Sequence, residues 1–296
     1  MVPAGFRAGQ GLKMRYLVAL LALTTALLAA EPGLRQAEEL YQRTDYDQSL
    51  KVLAAIPNAG HAVYFLRGRN YFMMADYNRA TDAFERAIKL DPRNSDYYLW
   101  LGRAWGRRAE VSSIFTAPSA AAKARTAFER AVELDPNNLE AMSDLFDYYL
   151  EAPGFLGGGI DKAAALAARM AQINPAEYQM AQAQIAERRK EFNSAEEHFR
   201  RAIQLGPRQV GRFIALARYL DKQGRPDESE AVFAQAEKIA PDNPELMFAQ
   251  AKFYIEQRRH LDKARELLHR YIQSNLTPDD PPRQDAERLL KKAIGA

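Results

Sequence analysis

The chain has 296 residues, 47% apolar and 27% charged, which is ordinary globular composition with enough chain for a large core. It has no cysteine, so a disulfide framework, a thiolate metal site and a cysteine nucleophile are excluded together. The formal charge of +3 comes from Arg7, Lys13 and Arg15; without these three, 38 basic residues face 38 acidic ones, which lacks the basic excess a nucleic-acid partner demands.

The amino terminus reads as an address. Residues 16–30, YLVALLALTTALLAA, are uncharged, follow the three basic residues and end in small ones before Glu31-Pro32. That is the layout of a secretory signal peptide. As a helix the run spans about 22 Å, short of the roughly 30 Å hydrocarbon core. The expected division is a signal peptide over 1–30 and a mature chain over 31–296. An uncleaved anchor is the other use of the same run, and Met14 is an alternative start. No later run is apolar enough to span a membrane, so no integral membrane segment is expected after cleavage. The compartment this predicts is the periplasm, reached across the inner membrane.

From residue 61 one phrase recurs: LDPRN at 90–94, LDPNN at 134–138, INPAE at 173–177, LGPRQ at 205–209 and IAPDN at 239–243. Pro92, Pro136, Pro175, Pro207 and Pro241 are spaced by 44, 39, 32 and 34 residues. Between them lie Gly68, Ala80, Phe84 and Ala87, then Gly102, Ala124, Phe128 and Ala131. Ala195-Phe199-Ala202 and Ser229-Phe233-Ala236 repeat the second half. Small residues let two helices approach closely, large ones fill the space beside them, and proline ends a helix and sets the next turn.

These residues and a period near 34 resemble the tetratricopeptide-repeat (TPR) family over essentially the whole mature chain. The resemblance implies an all-α fold, a right-handed TPR α-solenoid of about seven helical hairpins. The units fall at about 32–60, 61–94, 95–138, 139–175, 176–209, 210–243 and 244–277. A polar helix over about 280–295 is expected to cap the last hairpin, because an unstacked repeat face is apolar. The fourth unit departs from the pattern, with Phe146 at a normally small position and Ala163, Ala167 and Met170 in its second helix. Its packing is expected to be the least regular.

Two units are too long. Extra chain falls at the turn between first and second helices in both, over 106–122 and 152–160. The two turns are expected to be neighbouring loops that touch through Phe115 in one and Phe155-Leu156 in the other. Gly157–Gly159 lacks the G-K-[ST] ending of a phosphate loop and reads as a flexible turn.

No motif for catalysis stands out. His61, His198, His260 and His269 are never paired at i, i+3 or i, i+4, so no two of them share a helix face as metal ligands. The chain is expected to have no catalytic residues, no metal and no cofactor. The family resemblance implies that the first helix of each hairpin lines the concave face through positions 2, 5, 9 and 12–13. Position 5 reads Phe65, Leu99, Ser143, Met180, Ile214 and Phe248, a mostly apolar row. Position 9 reads Arg69, Arg103, Asp147, Gln184, Arg218 and Lys252, mostly basic. Position 2 reads Ala62, Asp96, Glu140, Glu177, Gly211 and Glu245, mostly acidic. Such a stripe suits a partner segment. The same residues also have a structural use, since apolar ones can pack on the next hairpin and the charged rows can neutralise one another.

The reading is a non-catalytic protein–protein interaction scaffold of the bacterial cell envelope, with a partner segment in the concave groove and no nucleic acid. The alternative is an enzyme or small-molecule binder with a pocket beneath the turns 106–122 and 152–160. Export has a direct check: amino-terminal sequencing of protein from its native host is expected to begin near Glu31, and an intact leader on soluble cytoplasmic protein would exclude it.

Overall fold

The computed structural model describes residues 32–295. The leader proposed for residues 1–30 lies outside them. The described chain is helical from end to end. The helices are α1 (32–42), α2 (Tyr46–Ala55), α3 (His61–Met73), α4 (Tyr77–Leu90), α5 (Ser95–Val111), α6 (Ala117–Leu134), α7 (Leu139–Glu151) and α8 (Ile160–Met170). They continue as α9 (Pro175–Arg188), α10 (Phe192–Leu205), α11 (Val210–Lys222), α12 (Pro226–Ile239), α13 (Pro244–Glu256), α14 (Leu261–Gln273) and α15 (Arg283–Gly295). Consecutive pairs form seven hairpins that stack in chain order, and α15 packs on α14 and α13.

The recurring phrase explains the turns between hairpins. Its proline blocks continuation of the second helix, and its asparagine caps the next first helix. Asn94 Oδ1 accepts from the Asp96 N–H at 3.0 Å, Asn138 Oδ1 from Ala141 at 3.0 Å and Asn243 Oδ1 from Leu246 at 2.9 Å. In INPAE the asparagine precedes the proline, so Asn174 caps α9 and Pro175 opens it. Turns inside the regular hairpins use a left-handed residue: Thr44, Ala75, Lys190, Gly224 and Arg258 have φ between 51° and 72°, and the seventh turn adds His260 at 47°. The two long hairpins replace that tight turn.

Within a hairpin, bulk on one helix faces absence of bulk on the other. A methyl placed on Gly68 would come within 2.4 Å of the Phe84 ring, and one on Gly102 within 2.5 Å of Phe128. Phe84, Phe128, Phe199 and Phe233 are all buried. The fourth hairpin exchanges the two sides. Phe146 stands where the others have glycine or alanine, and Ala167 stands where four of them have phenylalanine and the first and seventh have leucine. All of Phe146, Ala163, Ala167 and Met170 are buried in one cluster. The departure foreseen there is a trade of volume between two helices that leaves the core closed.

The first helices of neighbouring hairpins pack directly on one another, α3 on α5, α5 on α7, α7 on α9 and α11 on α13. Among the described residues no successive pair of second helices packs comparably, so the first helices line the inside of the curve. A volume-exchange test follows. Phe146→Ala is expected to cost about 3–5 kcal/mol by leaving a cavity, and Ala167→Phe about 1–3 kcal/mol by overpacking. Combined in one chain they are expected to cost clearly less than the sum in denaturant titrations. Strict additivity would mean that the two positions do not share a slot.

Candidate functional site

Positions 5 and 9 of a first helix are one turn apart and share a face. The structure splits each row. Leu99 and Ile214 are buried in the contacts between hairpins, whereas Phe65, Met180 and Phe248 are half-buried. Phe65 lies 4.6 Å from the Tyr97 ring and 5.8 Å from Phe84, and Phe248 lies 5.3 Å from Tyr271. The apolar row therefore works mainly as packing.

Two arginines of the basic row tie hairpins together. Arg69 reaches back to Glu38 at 3.3 Å and stacks on the Tyr41 ring at 4.2 Å. Arg103 reaches forward to Asp144 at 2.5 Å and Glu140 at 2.7 Å, and lies 5.1 Å from the Trp100 ring. Only 21% and 22% of the two side chains is exposed, so neither is offered to a partner. Lys252 pairs weakly with Glu256 on its own helix, at 3.7 Å. Arg218 makes no ion pair among the described residues and faces open space with Met180 and Gln184. Among position-2 residues, Glu177 is held by Arg212 at 2.8 Å.

What remains open forms a furrow. A cavity of about 490 Å³ has Phe72, Trp100, Phe128 and Tyr148 as its apolar wall and Arg103, Asp144, Asp147 and Glu151 as its polar one. A second, of about 540 Å³, shares Glu151 and adds Met180, Gln184, Glu187, Arg188, Arg218 and Lys222. A third, of about 190 Å³, shares Arg218 and Lys222 and ends at Lys252 and Glu256. The furrow thus runs from α3 to α13, acidic at the α7 end and basic toward α9 and α11. Phe72, Trp100, Tyr148 and Glu151 were not in the sequence-derived set. Phe72 and Glu151 stand at positions 12 and 13, which the family resemblance also assigns to the concave side. Pro278, from the loop between α14 and α15, lines the first cavity as well.

Burial raises the Asp144 carboxyl above its usual range despite the Arg103 contact. Desolvation lowers the Arg103 guanidinium, but the hydrogen bond and charge of Asp144 and then Glu140 outweigh it, and its pKa rises. Asp147 is reached by solvent yet walled in by the concave face. Loss of hydration there, then repulsion from Asp144 and Glu151, pushes its pKa up to about 7.

The expanded turns differ from expectation. Residues 106–122 are mostly helix: α5 and α6 have 17 and 18 residues where α3 and α4 have 13 and 14. Each helix gains about one turn, and only 112–116 is left as a connection. Phe115 and Phe155 are 88% and 82% exposed, so they do not pack on each other; Leu156 is half-buried. Lengthening both helices carries Phe115 outward, beyond reach of the neighbouring turn. At this edge Arg125 of α6 joins the two units, its Nη1 donating to the Leu156 carbonyl at 3.0 Å. The Tyr148 hydroxyl donates to the same oxygen at 3.0 Å, and Lys162 donates to the Gly157 carbonyl at 2.9 Å. Gly157 and Gly159 have φ of +88° and +152°, and a methyl on Gly158 would come within 1.8 Å of the Ala152 oxygen. This turn needs its glycines for conformation and space.

Comparison with known proteins agrees with this architecture. A tetratricopeptide-repeat family model matches residues 61–94, and another of the same description matches 187–246 and 222–284. A tetratricopeptide-repeat protein from Parabacteroides merdae is similar over 90% of this chain and 99% of its own, at 13% identity and a TM-score of 0.56. A thermophilic TPR protein of Thermus thermophilus is similar over 64% of this chain and 98% of its own, at 17% identity and a TM-score of 0.53. At such identities the likeness is one of fold. No curated protein matches the chain in sequence. Residues 61–94 and 187–284 carry tetratricopeptide repeats, and the described residues have the fold of a tetratricopeptide-repeat solenoid.

Asp147 gives a pH test. Its folded pKa of about 7 lies above the ordinary carboxyl value of about 3.9, so the cost of ionising it in the fold is absent below about pH 4 and complete above about pH 7. Asp147→Asn is expected to melt with wild type at about pH 4 and to gain on it progressively up to about pH 7. A constant difference across that range would show that Asp147 titrates as a free surface group.

Proposed function

We propose that this protein is a non-catalytic scaffold of the bacterial cell envelope that holds an extended segment of another protein in its concave furrow. One observation carries the reading: three cavities joined by shared lining residues place aromatic rings at α3 and α5, acidic groups at α7 and the basic Arg188, Arg218 and Lys222 toward α9 and α11. It crosses six first helices, five spacings of about 8–10 Å, or about 45 Å. That is the length of about 13 extended residues. The fitting ligand has apolar side chains for the pocket at Phe72 and Trp100, a basic group for Asp147 and Glu151, and acidic groups for Arg218 and Lys222.

Structural duties of the reactive side chains support a binding role over catalysis. Asp144 is spent on Arg103, and His61, His198 and His260 are spent on Tyr97, Gln179 and Glu230. Export is supported by the basic residues and apolar run of 16–30, and the periplasm is the compartment we assign. Among the described residues no helix is long and apolar enough to cross a membrane.

The test is crosslinking capture from the native envelope fraction with wild type and two folded variants. Asp147→Lys with Glu151→Lys, and separately Arg218→Glu, are each expected to lose the captured species, and the loss is expected to be larger at low salt. Arg69 and Arg103 are unsuitable for this purpose because they hold hairpins together. Equal capture by wild type and both variants would remove the furrow from the binding site. A small molecule copurifying in place of a protein would favour a binding-protein or enzyme reading.

A further inference from the structure

The lengthened third hairpin ends in a group of exposed apolar side chains that includes Phe115, the most exposed large apolar residue among the described ones. Val111, Ile114 and Phe115 are 70%, 81% and 88% exposed. Single exposed apolar residues are common on any protein, but three on one tip are not scattered. Residues 111–122, VSSIFTAPSAAA, contain no charged side chain. Immediately behind them stands a collar of Arg107, Arg108, Glu110, Lys123 and Arg125. Glu110 is paired with Arg107, and Arg125 lies 3.6 Å from Glu129. Arg108 and Lys123 flank the Trp105 ring at 4.0 Å each and have no carboxylate partner among the described ion pairs; Lys123 is exposed, and half-buried Arg108 donates one hydrogen bond, to the Thr81 hydroxyl at 2.9 Å.

We propose that this finger docks on a bilayer surface containing anionic phospholipid, with Val111, Ile114 and Phe115 entering the headgroup–acyl boundary and Arg108 and Lys123 meeting the phosphates. Geometry supports the depth. Arg108 lies four residues before the 112–116 connection and Lys123 seven after it, so the collar sits about 6–10 Å behind the tip. Apolar side chains of interfacial segments are buried about 5–10 Å. The tip is also equipped to leave water. Thr116 and Ala117 N–H groups both donate to the Ser113 carbonyl, at 3.0 and 2.9 Å, and the Ser112 N–H donates to Ala109 at 3.3 Å. Backbone groups paired in this way remove much of the cost of entering an apolar phase.

A bilayer fits this tip better than a protein does. Three side chains at the end of a narrow hairpin offer far less than the roughly 800 Å² per partner of a stable protein interface. No concavity surrounds them, whereas a fluid surface needs no complementary shape. The finger lies at a hairpin turn, so docking leaves the furrow on the first helices open.

The chain lacks cysteine, which permits a clean depth reading. Ser113→Cys in the full chain is labelled with an environment-sensitive nitrobenzoxadiazole dye, and Ala54→Cys on α2 serves as the control. A label at residue 113 reports the finger itself, whatever residues 16–30 do. With phosphatidylglycerol vesicles the label at 113 is expected to brighten several-fold and shift to the blue, while the label at 54 stays unchanged. Adding Ile114→Ser and Phe115→Ser is expected to weaken tip insertion about tenfold or more. Arg108→Gln with Lys123→Gln is expected to remove its dependence on anionic lipid and salt, with the fold intact by circular dichroism. No response at 113 in folded protein overturns the proposal. So does brightening without lipid as protein concentration rises, which would make the tip an interface between copies. Brightening only with a lipid-free envelope protein fraction would assign the tip to a protein partner and equally overturn it.

Discussion

In the second and third hairpins a phenylalanine ring lies directly over a glycine, Phe84 over Gly68 and Phe128 over Gly102, at distances no side chain could share. This contact sets how close two helices of a hairpin come, and the rest of the molecule is built on that spacing. Later hairpins relax it by one methyl group. Ala183, Ala217 and Ala251 occupy the slot, with Phe199, Phe233 and Leu268 buried on the second helices. What is preserved is the summed volume across the pair, which is why Phe146 and Ala167 can trade places. With each hairpin a rigid block, stacking leaves the first helices inside the curve, and the furrow is the space they enclose.

Charge on the inner face divides between holding the curve and facing its opening. Arg69 joins hairpin two to one, Arg103 joins three to four, and Arg212 joins six to five through Glu177. Each is largely shielded from solvent, so loss of one partner would strand the other charge in a site of reduced hydration. Arg103 and Asp144 also stand in the furrow wall. The bond between them ties up one cation of this wall and leaves Asp147 and Glu151 as its acidic part, and loss of hydration followed by repulsion from Asp144 and Glu151 raises the Asp147 carboxyl. Packing thereby determines the electrostatics of the binding face.

Local physics made most of the fold legible in advance. The proline-bounded phrase marks where hairpins three to seven begin, with an asparagine cap in all but the sixth, and Gly68, Phe84 and their equivalents mark which faces meet. The third hairpin's excess was harder to place, although SAAAKA over 119–124 is alanine-rich chain that favours helix over loop. Reading the insertion as a loop gave Phe115 a partner it cannot reach. The concave face was legible as a face but not as a site. Whether an arginine is spent or open depends on what stands opposite it, and Asp144 lies 41 residues from Arg103. No periodicity on one helix carries that information.

Closure of the curve lies further still from local pattern. Pro278 meets the furrow beside Phe72 and Trp100, and burial together with the nearby Asp279 carboxylate raises the Tyr41 hydroxyl pKa on the first hairpin. The last loop thus comes up against the first units. It is a stiff arm. Asp280 Oδ2 accepts from both the N–H and the hydroxyl of Thr277, at 2.8 and 2.9 Å, the Tyr271 hydroxyl donates to the Pro281 carbonyl, and Arg283 Nη2 donates to the Ser274 carbonyl at 3.1 Å. Three prolines at 278, 281 and 282 restrict it further. Helix α15 covers the apolar face that the seventh hairpin would otherwise expose, and in doing so it anchors this arm. The element that terminates the stack therefore also narrows the furrow, because Pro278 lines the same cavity as Asp147 and Glu151.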